Sequence, residues 1–242
     1  MSAFWAYADR LDGPGSIELS ADEARHVTSR RLRVDDPVTL FDGRGAVAHG
    51  RLEAAGRKSC VVSVEDIERH DPPNRDFTLA SAIPKGDRVS TLLQMLSQLG
   101  VLIWQPLILD DSVVRKLDPE NPRLRRILIE SAKLARRPWA LEIKAPLDLE
   151  TALSEYGASG RICFGDREGA TDGLPAEARL ILIGPEAGFS DSERRRLLEV
   201  AAEPVSLSPY NLRIETAAIA AATARNVSVG SSAPRAAEES AL

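Results

Sequence analysis

LILIGPEAGF (Leu180–Phe189) and PVSLSPYNLRIE (Pro204–Glu215) are two apolar runs that each break at a turn and restart as a helix. Both are too short for a membrane span and about right for a buried parallel strand. The first breaks at Gly184-Pro185 and leads into SDSERRRLLEV; the second breaks at Ser208-Pro209 and leads into TAAIAAATA. Ser190 and Glu193 have the spacing of a capping box, which predicts a helix starting at Asp191. In open α/β sheets, ligands collect where loops leave the carboxyl ends of neighbouring strands. Two such loops this close together mark the expected small-molecule site.

The same alternation reaches back to Arg75. FTLASAI reads as a strand, followed by a turn at Pro84-Lys85-Gly86-Asp87. Val89, Leu92, Leu93, Leu96 and Leu99 recur at helical spacing, and Gly100 stands where a C-cap would. VLIWQPLIL and RICFG are further strand candidates. Asn121-Pro122 opens a helix carrying Leu124, Ile127, Leu128 and Leu134, which Pro138 stops. Strand and helix in alternation imply a mainly parallel α/β sheet.

Residues 1–71 read differently. Ser20 with Glu23 gives a second capping box, and PVTLFDGRGAVAHGRLE places two extended runs around Asp42-Gly43-Arg44-Gly45, a hairpin signature. CVVSV (Cys60–Val64) adds a strand, so a compact β-barrel is expected. Asp71-Pro72-Pro73-Asn74 reads as a stiff linker between domains. The tail VGSSAPRAAEESAL has little to bury and is expected to be disordered.

The chain has 242 residues, 43% hydrophobic and 28% charged, an ordinary globular balance. No signal peptide and no membrane-spanning run is visible. Two distant cysteines and three scattered histidines make neither a disulfide framework nor a metal pattern, which fits a reducing cytoplasm. The net charge of −5 argues mildly against nucleic acid, but the cations cluster: Arg25, His26, Arg30, Arg31 and Arg33, then Arg123 to Arg137. Such clusters are equally solvated helix faces. GPEAGF is neither a dinucleotide fingerprint nor a P-loop.

KGDR (Lys85–Arg88), SQLGV (Ser97–Val101), LIGPEAGFSDSE (Leu182–Glu193) and VSLSPYNLRIETAAIAA (Val205–Ala221), with HVTSRRLRVDDPVTLFDGRG and ESAKLARRP, resemble the ordered motifs of the RsmE family. These are small-subunit ribosomal RNA methyltransferases acting on N3 of a uridine, members of the SPOUT superfamily. The resemblance implies a SPOUT α/β trefoil-knot domain over residues 75–228, preceded by a PUA-like β-barrel over 1–71 that assists RNA binding. It implies a homodimer, no metal, and S-adenosylmethionine held by Ile183, Gly184, Pro185, Glu186 and Gly188, then Leu207, Ser208, Leu212, Arg213 and Ala217.

The N3 proton must leave before or during attack, so Arg213 and Lys85 are expected to stabilise the anion, with Glu215 or Glu186 accepting the proton. A carboxylate there could equally cap a helix N-terminus. Arg25, Arg30, Arg31, Arg33, Lys85, Arg88, Arg136 and Arg137 are candidate RNA contacts. Ala187 replaces a family glycine, Gln98 a glutamate, Leu134 a glutamine, Ser208 a glycine, and Tyr210-Asn211 an Arg-Ile pair. The departures at Gln98, Leu134 and Tyr210-Asn211 leave open another RNA position such as a ribose 2′-hydroxyl; the rivals from other classes are a non-catalytic RNA-binding or assembly protein of the same fold, and an α/β enzyme on a metabolite whose basic clusters are merely solvated.

Overall fold

The computed structural model describes residues 4–56, 59–73, 76–157, 160–171 and 173–229. Asn74 of the expected linker and residues 230–242 of the expected tail lie outside them. The amino-terminal module is a five-stranded sheet in the order β1-β3-β4-β5-β2, formed by β1 (Phe4–Tyr7), β2 (Gly15–Leu19), β3 (Pro37–Phe41), β4 (Ala46–Ala55) and β5 (Cys60–Arg69). Helix α1 (Ala21–Ser29) packs against β4 and β5 over a core that includes Leu40, Leu52 and Val62. The β3–β4 hairpin turns at Asp42, whose Oδ1 accepts from the backbone N–H of Arg44 (2.7 Å) and Ala46 (3.0 Å). Strand β1 pairs in parallel with β3, a long-range pairing that local alternation does not reveal.

The larger module holds six parallel strands in the order β11-β9-β10-β6-β7-β8. They are β6 (Thr78–Ala82), β7 (Ile103–Leu107), β8 (Glu142–Ile143), β9 (Arg161–Ala170), β10 (Ala178–Ile183) and β11 (Glu203–Val205). Helix α2 (Arg88–Gln98) buries Val89, Leu92, Leu93 and Leu96, and Gly100 closes it at φ +85. Asn121 caps α3 (Pro122–Ala135), accepting from the Arg123 N–H at 2.9 Å. Asp148 caps α4 (Leu149–Tyr156), a helix not foreseen although Leu149, Ala152, Leu153 and Tyr156 recur at helical spacing.

Helix α5 (Asp191–Glu199) starts at the expected residue, with both halves of its capping box made: Glu193 N–H to Ser190 Oγ at 3.3 Å and Ser190 N–H to Glu193 Oε2 at 2.8 Å. At Ser20 only half a box forms, because Glu23 turns away to Lys133. Helix α6 (Ile214–Val229) starts earlier than the alanine run, since Ala217 N–H already bonds Arg213 O at 2.9 Å. Glu215 therefore sits inside its first turn. Ala218, Ala221 and Ala222 are buried where α6 lies against α2, so tight packing accounts for these small residues.

Gly169 marks where the edge strand seats. A Cβ there would fall 2.5 Å from the backbone of Pro204 and Val205, at the irregularity in the β9–β11 register. Gly169→Ala is expected to force β11 away and cost about 1–3 kcal/mol, as overpacking does. An unchanged urea midpoint would refute it. Cys60 and Cys163 are buried free thiols in separate cores, and burial pushes both pKa values up, Cys163 to about 11.

The two modules are stitched well beyond the chain that links them. Gly45 N–H bonds Pro138 O and Ala140 N–H bonds Gly43 O, both at 3.0 Å, while Trp139 Nε1 donates to His70 O at 2.9 Å. A Cβ on Gly45, which has φ +96, would lie 2.5 Å from the Trp139 ring. The turn glycines thus serve the interface as well as the hairpin. Phe41, Val47 and Ala132 form an apolar seam with Trp5, Tyr7 and Ile129. Lys133 of α3 meets the buried Glu23 of α1 at 2.7 Å.

Candidate cofactor and RNA site

A cavity of ≈ 430 Å³ opens at the carboxyl ends of β9 and β10, within the size range of small-molecule pockets. One wall is the loop from Ile183 to Phe189. The second is Leu207, Ser208 and Tyr210 to Leu212, continued by Ile214 and Ala217 of α6. The third is Gly165 to Glu168 with Arg194 of α5. The sheet order explains the convergence: β9 and β10 are neighbours, and the chain leaving β11 at the edge returns past both to reach α6.

Ile183, Gly184, Pro185, Glu186, Gly188, Leu207, Ser208, Leu212 and Ala217 all line this cavity. Arg213 does not; it is exposed, between two residues that do. The first loop is a turn closed by Gly188 N–H to Pro185 O at 2.8 Å, with Gly188 at φ +88. Ala187 is not in the left-handed region, so its methyl group carries no backbone strain. A Cβ on Gly184 would press on Gly188 (3.2 Å) and the Phe189 ring (3.3 Å), so glycine keeps the turn close to the strand end.

The third wall was not foreseen. Asp166 holds Arg194 at 3.0 Å and accepts from the Glu168 N–H at 2.9 Å, while Arg167 reaches Asn211 at 3.5 Å. The available signal was RICFG itself, since a strand beside LILIG must deliver its carboxyl end to the same crevice.

Behind Pro185, Glu186 and Ile214 lies a second hollow of ≈ 40 Å³ with Lys85 and Arg88 on its lining. The Arg88 guanidinium is 3.1 Å from Glu186 Oε1 and 3.9 Å from Glu215 Oε2. Glu215 is only 7% exposed, and its Oε2 has no hydrogen-bond partner. Glu215 follows Ile214, which lines both hollows, and its Oε2 carries the Arg88 ion pair without a hydrogen-bond donor.

The candidate RNA residues divide. Arg30, Arg31 and Arg33 are exposed together at the end of α1. Arg25 is exposed but paired with Asp22; Lys85 and Arg136 are exposed too. Arg88 faces inward to the two glutamates. Arg137 differs most from a phosphate contact: its guanidinium donates to Ser97 O and, at 3.4 Å, to Val101 O, holding the end of α2. Burial pulls its pKa down to about 10, so it stays charged at neutral pH. In sequence, Arg136-Arg137 shows two charges and gives no sign of which one is inside.

An all-parallel α/β domain with a crevice at its strand ends, carried beside a small β module, is the architecture of a ligand-binding domain with an accessory module. The chain matches the family model described as an RNA methyltransferase domain over residues 71–226, and the RNA methyltransferase PUA domain over residues 19–65. The ribosomal RNA small subunit methyltransferase E of Aquifex aeolicus is 31% identical over 208 residues, covering 83% of this chain and 90% of that protein. The chain belongs to the ribosomal RNA small subunit methyltransferase E family. A Legionella pneumophila protein solved with bound S-adenosylmethionine superposes at a TM-score of 0.79 and 26% identity, over 94% of this chain and 98% of that one. The corresponding Neisseria gonorrhoeae enzyme, at 24% identity, shares the fold at a TM-score of 0.81 over 93% of this chain and 98% of its own.

Proposed function

We propose that the protein transfers a methyl group from S-adenosylmethionine to N3 of a uridine in small-subunit ribosomal RNA, as a homodimer acting in the cytoplasm. The observation that carries this is the convergence of the Ile183–Phe189 and Leu207–Leu212 loops on one cavity with a buried carboxylate beside it. The chemistry of the walls fits the cofactor: Ile183, Leu207, Leu212 and Ile214 offer an apolar bed, and Glu186 and Asp166 offer carboxylates to a cationic ligand. When bound, S-adenosylmethionine supplies an electrophilic methyl group on a sulfonium.

The protein's own task is alignment and handling of the N3 proton. Glu215 is the favoured acceptor because its Oε2 accepts no hydrogen bond, and the Arg88 ion pairs steady both Glu215 and Glu186. Lys85 of the second hollow and Arg213 beside Leu212, both exposed, are the cations that offset the charge developing on the ring. The β module over residues 1–71 brings Arg30, Arg31 and Arg33 to RNA phosphates, and residues 75–228 carry the transfer.

The direct test is mass mapping of modified uridines in small-subunit ribosomal RNA incubated with protein and cofactor. One uridine methylated on its base is the expected product, and Arg213→Ala should slow its formation at saturating cofactor by at least about tenfold. A ribose-methylated product, or none, would overturn the assignment of position or of activity respectively.

A further inference from the structure

Tyr210 is 79% exposed and is the only exposed Phe, Tyr or Trp among the described residues. It nevertheless lines the cofactor cavity, so its ring stands at the lip. The backbone beneath it is held firmly. Tyr210 N–H donates to Ser208 Oγ at 3.1 Å, Ser206 Oγ donates to Ser208 O at 3.3 Å, and Arg167 tethers Asn211 at 3.5 Å. Two exposed cations, Arg167 and Arg213, flank the same loop.

A large ring left in water on an anchored loop, between two cations, has the make-up of a single-strand binding surface. Every base has a π-face, and guanidinium groups offset the backbone charge beside it. Base methylation on a ring nitrogen used in pairing requires an unpaired or extruded nucleotide, which leaves its unstacked face in need of a partner. We propose that Tyr210 is a stacking platform for an unpaired base of the RNA substrate at the lip of the cofactor cavity. The proposal rests on the methyltransferase function above and adds the residue that makes the site prefer an unpaired strand.

Small ribosomal subunits lacking the modification serve as substrate for steady-state kinetics of Tyr210→Ala, Tyr210→Leu and Tyr210→Phe. Loss of one base–aromatic stack should raise KM for the subunit about 5- to 150-fold in the alanine and leucine variants, with kcat changed far less. Phenylalanine, which keeps the ring, should restore KM, and S-adenosylmethionine affinity by calorimetry should fall far less than the subunit KM rises. An unchanged subunit KM in Tyr210→Ala overturns the proposal. So does a parallel loss of cofactor affinity, which would make the ring a cofactor wall, or a shift to monomers in sedimentation, which would make it a subunit contact. A wild-type protein that transfers no methyl group refutes the underlying function instead, which separates the two failures.

Discussion

Glu215→Gln is expected to lower the methyl-transfer rate about 10²- to 10⁴-fold at saturating cofactor, the range removed with a general base. The change is close to isosteric and keeps a polar group in the first turn of α6, so folding and cofactor affinity should be spared. What disappears is the ability of Oε2, which accepts no hydrogen bond in a residue only 7% exposed, to take a proton. Single-turnover rates with small subunits, beside calorimetry with S-adenosylmethionine, separate the two effects. A rate within about threefold of wild type would show that Glu215 serves only to favour the positive end of α6.

Lys133→Met should produce the largest loss of stability. Glu23 is 3% exposed, and its Oε1 depends on Lys133, whose Nζ is also 2.8 Å from Glu130. Glu23 Oε2 already lacks a partner. Removing the cation leaves a buried carboxylate uncompensated, at a cost of about 3–5 kcal/mol. For a chain of this size that corresponds to a fall in Tm of roughly 6–20 °C. Pairing Lys133→Met with Glu23→Gln should recover much of the loss, since no charge is then stranded. A single variant that melts within about 2 °C of wild type would mean that water reaches Glu23 readily.

What was legible in sequence was local. The Ser190–Glu193 box, the Asn121-Pro122 start of α3 and the Gly100 stop of α2 each lie within a few residues of the groups they satisfy, and all three appear where expected. The two loops that line the crevice were readable because a strand end and a turn leave a local mark. Glu23 shows the opposite case: half its box formed, because a lysine 110 positions away competed for its carboxylate. The Asp166–Arg194 wall, the β1–β3 pairing and the inward turn of Arg137 likewise depend on neighbours far along the chain. The departure at Ala187 proved conformationally neutral, a fact set by one φ angle that no residue pattern encodes.

The contact between the Asp42–Gly45 turn and the Pro138–Ala140 segment ties the arginines after α1 to the crevice at a set span. On the proposed function the protein would act as a caliper: an RNA filling both jaws would have to offer its backbone to one and a loose nucleotide to the other at that separation.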